Sequence, residues 1–254
     1  MIIVEAGINH FGSVKEANMM LSHFLSSKAD SITFQIQSKK FIEKYKKLKI
    51  NFELPHSFYK KAIEKVKKKK KKIGLAVCDL ETANKLDKLK FDFYKLLSVS
   101  IKNKKLIQYL KHKNKSIYIS TGVAKNVDIK NCLQLLSKKK SILLHTPMSY
   151  QSIDLNLDRI SYLKEKFNTS VGYSHHFNSK LPILLAKALK YQCFFIYFKL
   201  KKLKGRVYPD DKHAIYYNEI DDLIKKIKLI DEMIGNKMNI NSQIKISFDG
   251  IKIK

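Results

Sequence analysis

The chain has 254 residues and is 44% hydrophobic, which suffices for one large folded domain and excludes disorder as the main state. It carries a net charge of +29, but of its 51 basic residues only Arg159 and Arg206 are arginine, so the planar fork that favours base and phosphate recognition is nearly absent and a nucleic-acid partner is disfavoured. No apolar run approaches the ~18 residues of a membrane span, and residues 1–10 show neither a basic start nor a small-residue cleavage site, so the prediction is a cytoplasmic protein without a membrane partner.

The chain opens on a predicted strand at 2–6 and a helix at 14–27. A strand at 31–35 and a helix at 55–70 follow. Next come 73–77 with 80–88, 93–97 with 104–112, and 116–120 with 127–136. The last three pairs are 141–145 with 157–167, 170–173 with 179–190, and 193–197 with 219–234. Most strands are continuous Ile, Val, Leu and Phe runs, as expected of parallel strands buried on both faces. The lysine run at 67–72 falls where a helix should end, and cations there complement the macrodipole. The other lysines are spread over nearly every segment and read mainly as a solvated surface.

Eight strands alternating with eight helices predict a single (β/α)8 TIM barrel over residues 1–235, followed by a short tail at 236–254. An open doubly wound sheet would need a glycine-rich first turn, and Gly7 and Gly12 do not supply G-x-G-x-x-G. Cys78, Cys132 and Cys193 are widely spaced, in no CxxC pair, and no motif marks a base for them. They read as structural residues rather than nucleophiles.

A barrel of this kind places its active site at the C-terminal strand ends. There the sequence sets Glu5 and His10 at the end of the first strand, Lys95 and Ser98 at the fourth, and Ser120 at the fifth. Tyr150 follows the sixth strand, Ser174 to His176 end the seventh, and Asp210 follows the eighth. Hydroxyls with a lysine suit a phosphate and a carboxylate. A glutamate with histidines suits a divalent metal or proton transfer.

The motifs VEAGINHFG, FYKLLS, ISTG, LLH…SY and VGYSHH, in this order, resemble the sialic acid synthase family. The resemblance covers about residues 2–234. It implies a TIM barrel that condenses phosphoenolpyruvate with an N-acetylated hexose to a nonulosonic acid, with Mn²⁺ or Mg²⁺ bound. Carried over residue by residue, it implies Glu5 near the metal and the sugar carbonyl. Lys95, Ser98, Ser120 and Ser174 then face phosphoenolpyruvate, Tyr150 and Asp210 face the sugar, and His176 is a metal ligand. A homodimer is one assembly the resemblance allows.

Several positions depart from the family's pattern. Thr33 stands where the family has a lysine, and Phe195 and Tyr197 replace the glutamate and the second metal-ligand histidine of E-K-H-F. Leu75 to Cys78 replace S-T-P-F. Met148 stands at an asparagine or serine position, and His175 replaces the aspartate of G-Y-S-D-H. The antifreeze-like domain of many members is not expected within these residues. Weakened metal binding follows from the loss at Tyr197. His175, His10 or His145 are candidate substitutes, each more readily read as structural. Three readings stay open. The first is an active synthase with a remodelled site; the second is a non-catalytic barrel that binds a sugar or phosphorylated ligand or supports an intact relative. The third is a lysine-rich polyanion binder.

Overall fold

The computed structural model describes residues 1–47, 50–137, 140–201 and 207–235. The predicted tail at 236–254 lies outside them. In chain order the elements are β1 (Ile2–Gly7), α1 (Val14–Ser26), β2 (Ser31–Gln35), α2 (Lys39–Lys47), α3 (His56–Lys68) and β3 (Lys72–Val77). There follow α4 (Leu80–Asn84), β4 (Phe93–Leu96), α5 (Lys104–His112), β5 (Ser116–Ser120), α6 (Asn126–Leu135) and β6 (Ser141–His145). The chain continues with α7 (Arg159–Phe167), β7 (Ser170–Ser174), α8 (Leu181–Ala188), β8 (Phe194–Lys199), β9 (Ile215–Tyr216) and α9 (Ile220–Ile234). Strands β1 to β8 pair in sequence order, and β1 also pairs with β8. Every pairing is parallel. The sheet therefore closes into the predicted (β/α)8 barrel.

Alternation along each strand divides the core in two. Ile2, Val4 and Ala6 of β1 join the large apolar cluster between barrel and helices. Ile3, Phe93, Tyr118, Leu144, Cys193 and Phe195 form a separate cluster inside the barrel. Its three aromatic rings pack edge to face, with centroids 5.0 to 6.4 Å apart. Such bulk needs small neighbours: a Cβ on Gly74 would lie 2.1 Å from the Phe93 ring.

The helix starts are specified locally. The Ser13 hydroxyl accepts from Glu16 N, Asp79 from Thr82 N, and Asn103 from Leu106 N, each satisfying a backbone donor that the helix leaves open. The lysine run has a structural use as well. Lys71 Nζ donates to the carbonyls of Phe24, Ser27 and Ala29 at 3.1, 2.5 and 3.0 Å, closing the C-terminal end of α1.

The predicted helix at 80–88 ends at Asn84 and continues as three-residue turns through Leu89. The sequence reading omitted α2 and β9. In α2 only Ile42 is buried, and the helix is held by Phe41 and Tyr45 packing on Phe52, too short an apolar stripe to register as a period. β9 has two residues, and Ile215 pairs with Phe198 beyond the end predicted for the eighth strand. Among the described residues no helix is long and apolar enough to cross a membrane.

Candidate active site

At the C-terminal end of the barrel lies a cavity of about 540 Å³ lined by Lys95, Ser98, Ser120, His176, Asp210 and His213, among others. Glu5 and Ser174 sit beneath it, both fully buried. Lys95 joins the two levels: its Nζ lies 2.5 Å from Glu5 Oε2 and donates to Ser174 Oγ at 3.2 Å. The same ammonium stands 4.7 Å from the Phe195 ring centre and 5.3 Å from that of Tyr197. A buried lysine so placed is held by charge and by aromatic faces together. The Oγ of Ser120 and the Oε1 of Glu5 are buried without hydrogen-bond partners.

The first βα loop explains how the wall closes. Gly7 has φ +54°, and a Cβ there would lie 2.7 Å from Asp210 Oδ2 and 3.0 Å from the Tyr197 ring. Only glycine gives that backbone shape and that close approach at little cost. Asn9, fully buried, donates from Nδ2 to the Phe198 carbonyl at 3.0 Å and accepts from Asp210 N at 3.1 Å. It ties the end of β8 to the loop that carries Asp210. From the other side Lys199 Nζ donates to Asp211 O and Oδ1, both at 2.8 Å. Asn9 and Lys199 were missed as site-building residues. The signal for Asn9 was its place in the G-I-N stretch; Lys199 carried none.

Burial dominates the titration of this wall. It pushes the Asp210 carboxyl up to about 7, helped by the Glu5 charge and opposed by Lys95. Burial, with the Glu5 and Asp210 carboxylates, holds the Tyr197 phenol well above its ordinary value. His176 is held well below 6.5 by burial, then by His213 and Lys95. His213 is lowered to about 4 by burial, Lys95 and Lys199. Both imidazoles are therefore neutral at pH 7.

Tyr150 is half exposed, and its hydroxyl lies 3.1 Å from His213 Nδ1. So Lys95, Ser98, Ser120, His176 and Asp210 meet at the cavity, Glu5 and Ser174 support it from below, and Tyr150 reaches it through His213. Thr33 is fully buried with its hydroxyl unpartnered. The three other histidines weighed as substitutes are placed differently. His10 Nδ1 accepts from Gly12 N at 3.0 Å, and His145 Nε2 donates to Leu155 O at 2.7 Å. His175 lines a neighbouring cavity with Phe177, Lys180 and Glu219. His213, in a polar loop without periodicity, was missed altogether. Burial raises the thiols of Cys78 to about 11 and of Cys132 and Cys193 to about 12, which fits structural cysteines.

Among the described residues no three His, Cys, Asp or Glu side chains are gathered to hold a metal ion. Yet Glu5 Oε1, Asp210 Oδ2 and His213 Nε2 are buried and unpartnered. Carboxylate and imidazole are donors that Mn²⁺ and Mg²⁺ accept, with water completing the shell. The donor types suit such an ion, but among the described residues these atoms do not gather into one three-ligand site.

A sequence profile of the NeuB family matches residues 2–239. The chain belongs to the NeuB family. It is 27% identical to the N,N'-diacetyllegionaminic acid synthase of Campylobacter jejuni over 93% of this chain and 78% of that protein. It is 26% identical to the enzyme of that name from Legionella pneumophila, over 92% and 73%. Among solved structures, the N-acetylneuraminic acid synthetase of Leptospira borgpetersenii superposes with a TM-score of 0.83 at 26% identity, covering 93% of this chain and 85% of that one. Within this NeuB-family barrel, Tyr197 and Thr33 stay where the sequence placed them, at β8 and β2, and both are buried.

Proposed function

We propose that this NeuB-family protein condenses phosphoenolpyruvate with an N-acetylated hexose, giving a nonulosonic acid and free phosphate. The observation that carries the proposal is the cavity at the barrel mouth, lined by Lys95, Ser98, Ser120, His176, Asp210 and His213 among others. Relatives spanning nearly the whole chain are named as synthases of acidic sugars.

In this reading Lys95, Ser98 and Ser120 bind the phosphate and carboxylate of phosphoenolpyruvate from above, while Ser174 steadies the ammonium from below. Glu5 fixes Lys95 in place and holds its Nζ at the cavity floor. Tyr150 and Asp210 orient the sugar so that its aldehyde carbon faces C3 of phosphoenolpyruvate. The new bond forms between those two carbons, the aldehyde oxygen takes a proton, water adds at C2, and phosphate leaves. Were Mn²⁺ or Mg²⁺ bound, His176 would hold it and the ion would supply polarisation of the aldehyde carbonyl. The test is phosphate release from phosphoenolpyruvate with a panel of N-acetylated hexoses and Mn²⁺. Release with at least one sugar supports the proposal, and none with any sugar counts against it.

One observation favours a second reading, a barrel that binds a sugar or phosphorylated ligand without turnover. The Lys95 charge is already matched by Glu5 at 2.5 Å, and position 33 offers no further cation. Under that reading phosphoenolpyruvate or the sugar binds, by calorimetry, while phosphate release stays at the no-protein rate.

A further inference from the structure

Beside the mouth lies a second cavity, of about 440 Å³. It is framed by the loop between β7 and α8 and by the stretch from Lys212 to Glu219 after β8. His213 lines both cavities. In barrels of this class the loops after the seventh and eighth strands frequently form a phosphate site. The fold therefore offers the place, and the side chains decide whether a site is built there.

His175 is the first sign of a ligand. Its backbone N donates to the Phe195 carbonyl at 3.0 Å, and the residue is 1% exposed. The ring lines the cavity, yet its Nδ1 is buried without a hydrogen-bond partner. Burial lowers this imidazole to about 3, so at pH 7 it is neutral and has one N–H to give. A buried polar atom left unsatisfied is costly, and a ligand oxygen would relieve it. The resemblance expects an aspartate at position 175, so the histidine also removes a negative charge from this cavity.

Cations line the same space. Lys212 has no carboxylate partner among the described residues, and its Nζ stands 5.2 Å from the Tyr150 ring centre. Asp211, next to it in sequence, is held by Lys199 at 2.8 Å. Glu219 is engaged at both oxygens, by Lys180 Nζ at 2.5 Å and Tyr216 N at 2.8 Å. It takes one N–H of the Lys180 ammonium, which carries three. The start of α8 is not the source of the site. Leu181 N donates to Ser179 Oγ at 3.2 Å, residue 182 is proline, and Ile183 N donates to Lys180 O at 3.0 Å. Ser179 accepts that bond and keeps its own hydroxyl proton to donate.

We propose that this second cavity binds a phosphate group through Lys180, Lys212, the Ser179 hydroxyl and the His175 imidazole, separately from the site at Lys95. Lysine and hydroxyl donors make charge-assisted hydrogen bonds to such an oxyanion. The group arrives as free phosphate or on a small phosphate monoester, which present the same oxygens. The inference does not rest on the synthase reading, because binding is measured without turnover.

The experiment titrates the full chain with inorganic phosphate, at about 0.15 M salt to screen the surface lysines. Calorimetry gives the affinity, and ¹⁵N-histidine labelling follows the ring nitrogens by magnetic resonance, with His175→Gln assigning the His175 signals. Phosphate is expected to shift those signals saturably. Lys212→Met changes an exposed position and is expected to weaken that binding about tenfold, as the loss of one charge-assisted hydrogen bond would. Lys105→Gln, on α5, removes the same charge elsewhere and is expected to bind as wild type does. Ser98→Ala with Ser120→Ala takes two hydroxyls from the mouth and is expected to leave the His175 shift in place. Circular dichroism checks that each variant is folded. Should His175→Gln fail to fold, the calorimetric difference between Lys212→Met and Lys105→Gln decides. Glucose 6-phosphate and glucose separate the two sources. Tighter binding of glucose 6-phosphate than of phosphate assigns a monoester, equal binding assigns free phosphate, and glucose alone is expected not to bind. His175 signals indifferent to phosphate overturn the proposal. So does equal affinity in Lys212→Met and wild type, or loss of the whole effect in the Ser98→Ala, Ser120→Ala protein.

Discussion

At the scale of single residues, the Glu5–Lys95 pair decides most. Its members lie 90 positions apart in sequence and 2.5 Å apart in space, both out of contact with solvent. Removing one partner of a buried pair leaves an uncompensated charge, which costs about 3–5 kcal/mol. Lys95→Met is therefore expected to lower the urea midpoint by a corresponding amount, and Glu5→Gln with Lys95→Met to recover much of it. Full stability in the single variant would show that the pair is not held as described. The buried histidines set an acid limit. His10 and His145 are lowered from 6.5 to about 4, chiefly by burial. Between about pH 6.5 and 4 the unfolded chain protonates them and the fold does not. Their stabilising contribution is thus complete above pH 6.5 and falls as the pH drops towards 4. Each adds a slope of up to about 1.4 kcal/mol per pH unit. His145→Gln keeps a donor for the Leu155 carbonyl without a titrating ring, so its unfolding free energy should fall less steeply with acid, by one proton's worth.

At the scale of elements, small residues are what let the strands and loops approach. A Cβ on Gly74 of β3 meets the Phe93 ring at 2.1 Å, so Gly74→Ala forces the interior aromatic cluster to move. Overpacking of this kind costs about 1–3 kcal/mol, readable as a lower melting temperature. Gly7 acts on the site rather than the core. Gly7→Ala pushes on Asp210 Oδ2 and the Tyr197 ring and strains a positive φ. If the synthase reading holds, it should lose phosphate release by more than tenfold while the circular dichroism spectrum stays that of the barrel. Normal turnover in that variant would show that the loop after β8 need not sit against β1. The alternation of apolar runs with helical stripes was enough to place every barrel strand within two or three residues. The α2 helix escaped because its lysines outnumber its apolar anchors, and β9 because two residues carry no period.

At the scale of the whole molecule the charge is the dominant quantity. A formal +29 on 254 residues repels itself in the compact state, and salt screens that repulsion. Raising ionic strength from about 0.01 to 0.15 M shortens the screening length from about 30 to 8 Å. The melting temperature is expected to rise over this range. A fall would mean that surface ion pairs, such as Lys46 with Glu53 or Lys226 with Asp222, outweigh the repulsion between lysines.

The sequence by itself determined the closed barrel and the ring of polar groups at its mouth. Both follow from local rules: the period of the apolar residues fixes strand or helix, and the end of a strand fixes which residues face the mouth. That Lys95, Ser98, Ser120, His176 and Asp210 share one cavity was legible for this reason. Tertiary structure alone decided how those groups are partnered. Barrel closure brings β1 beside β8, so Glu5 sinks below the cavity to meet Lys95, and Gly7 admits Asp210 and Tyr197. The same closure lets Asn9 bridge Phe198 and Asp210 and sets His213 against His176. Such partnerships depend on packing between segments up to 201 residues apart, and no local pattern encodes which distant side chain will fill a given space.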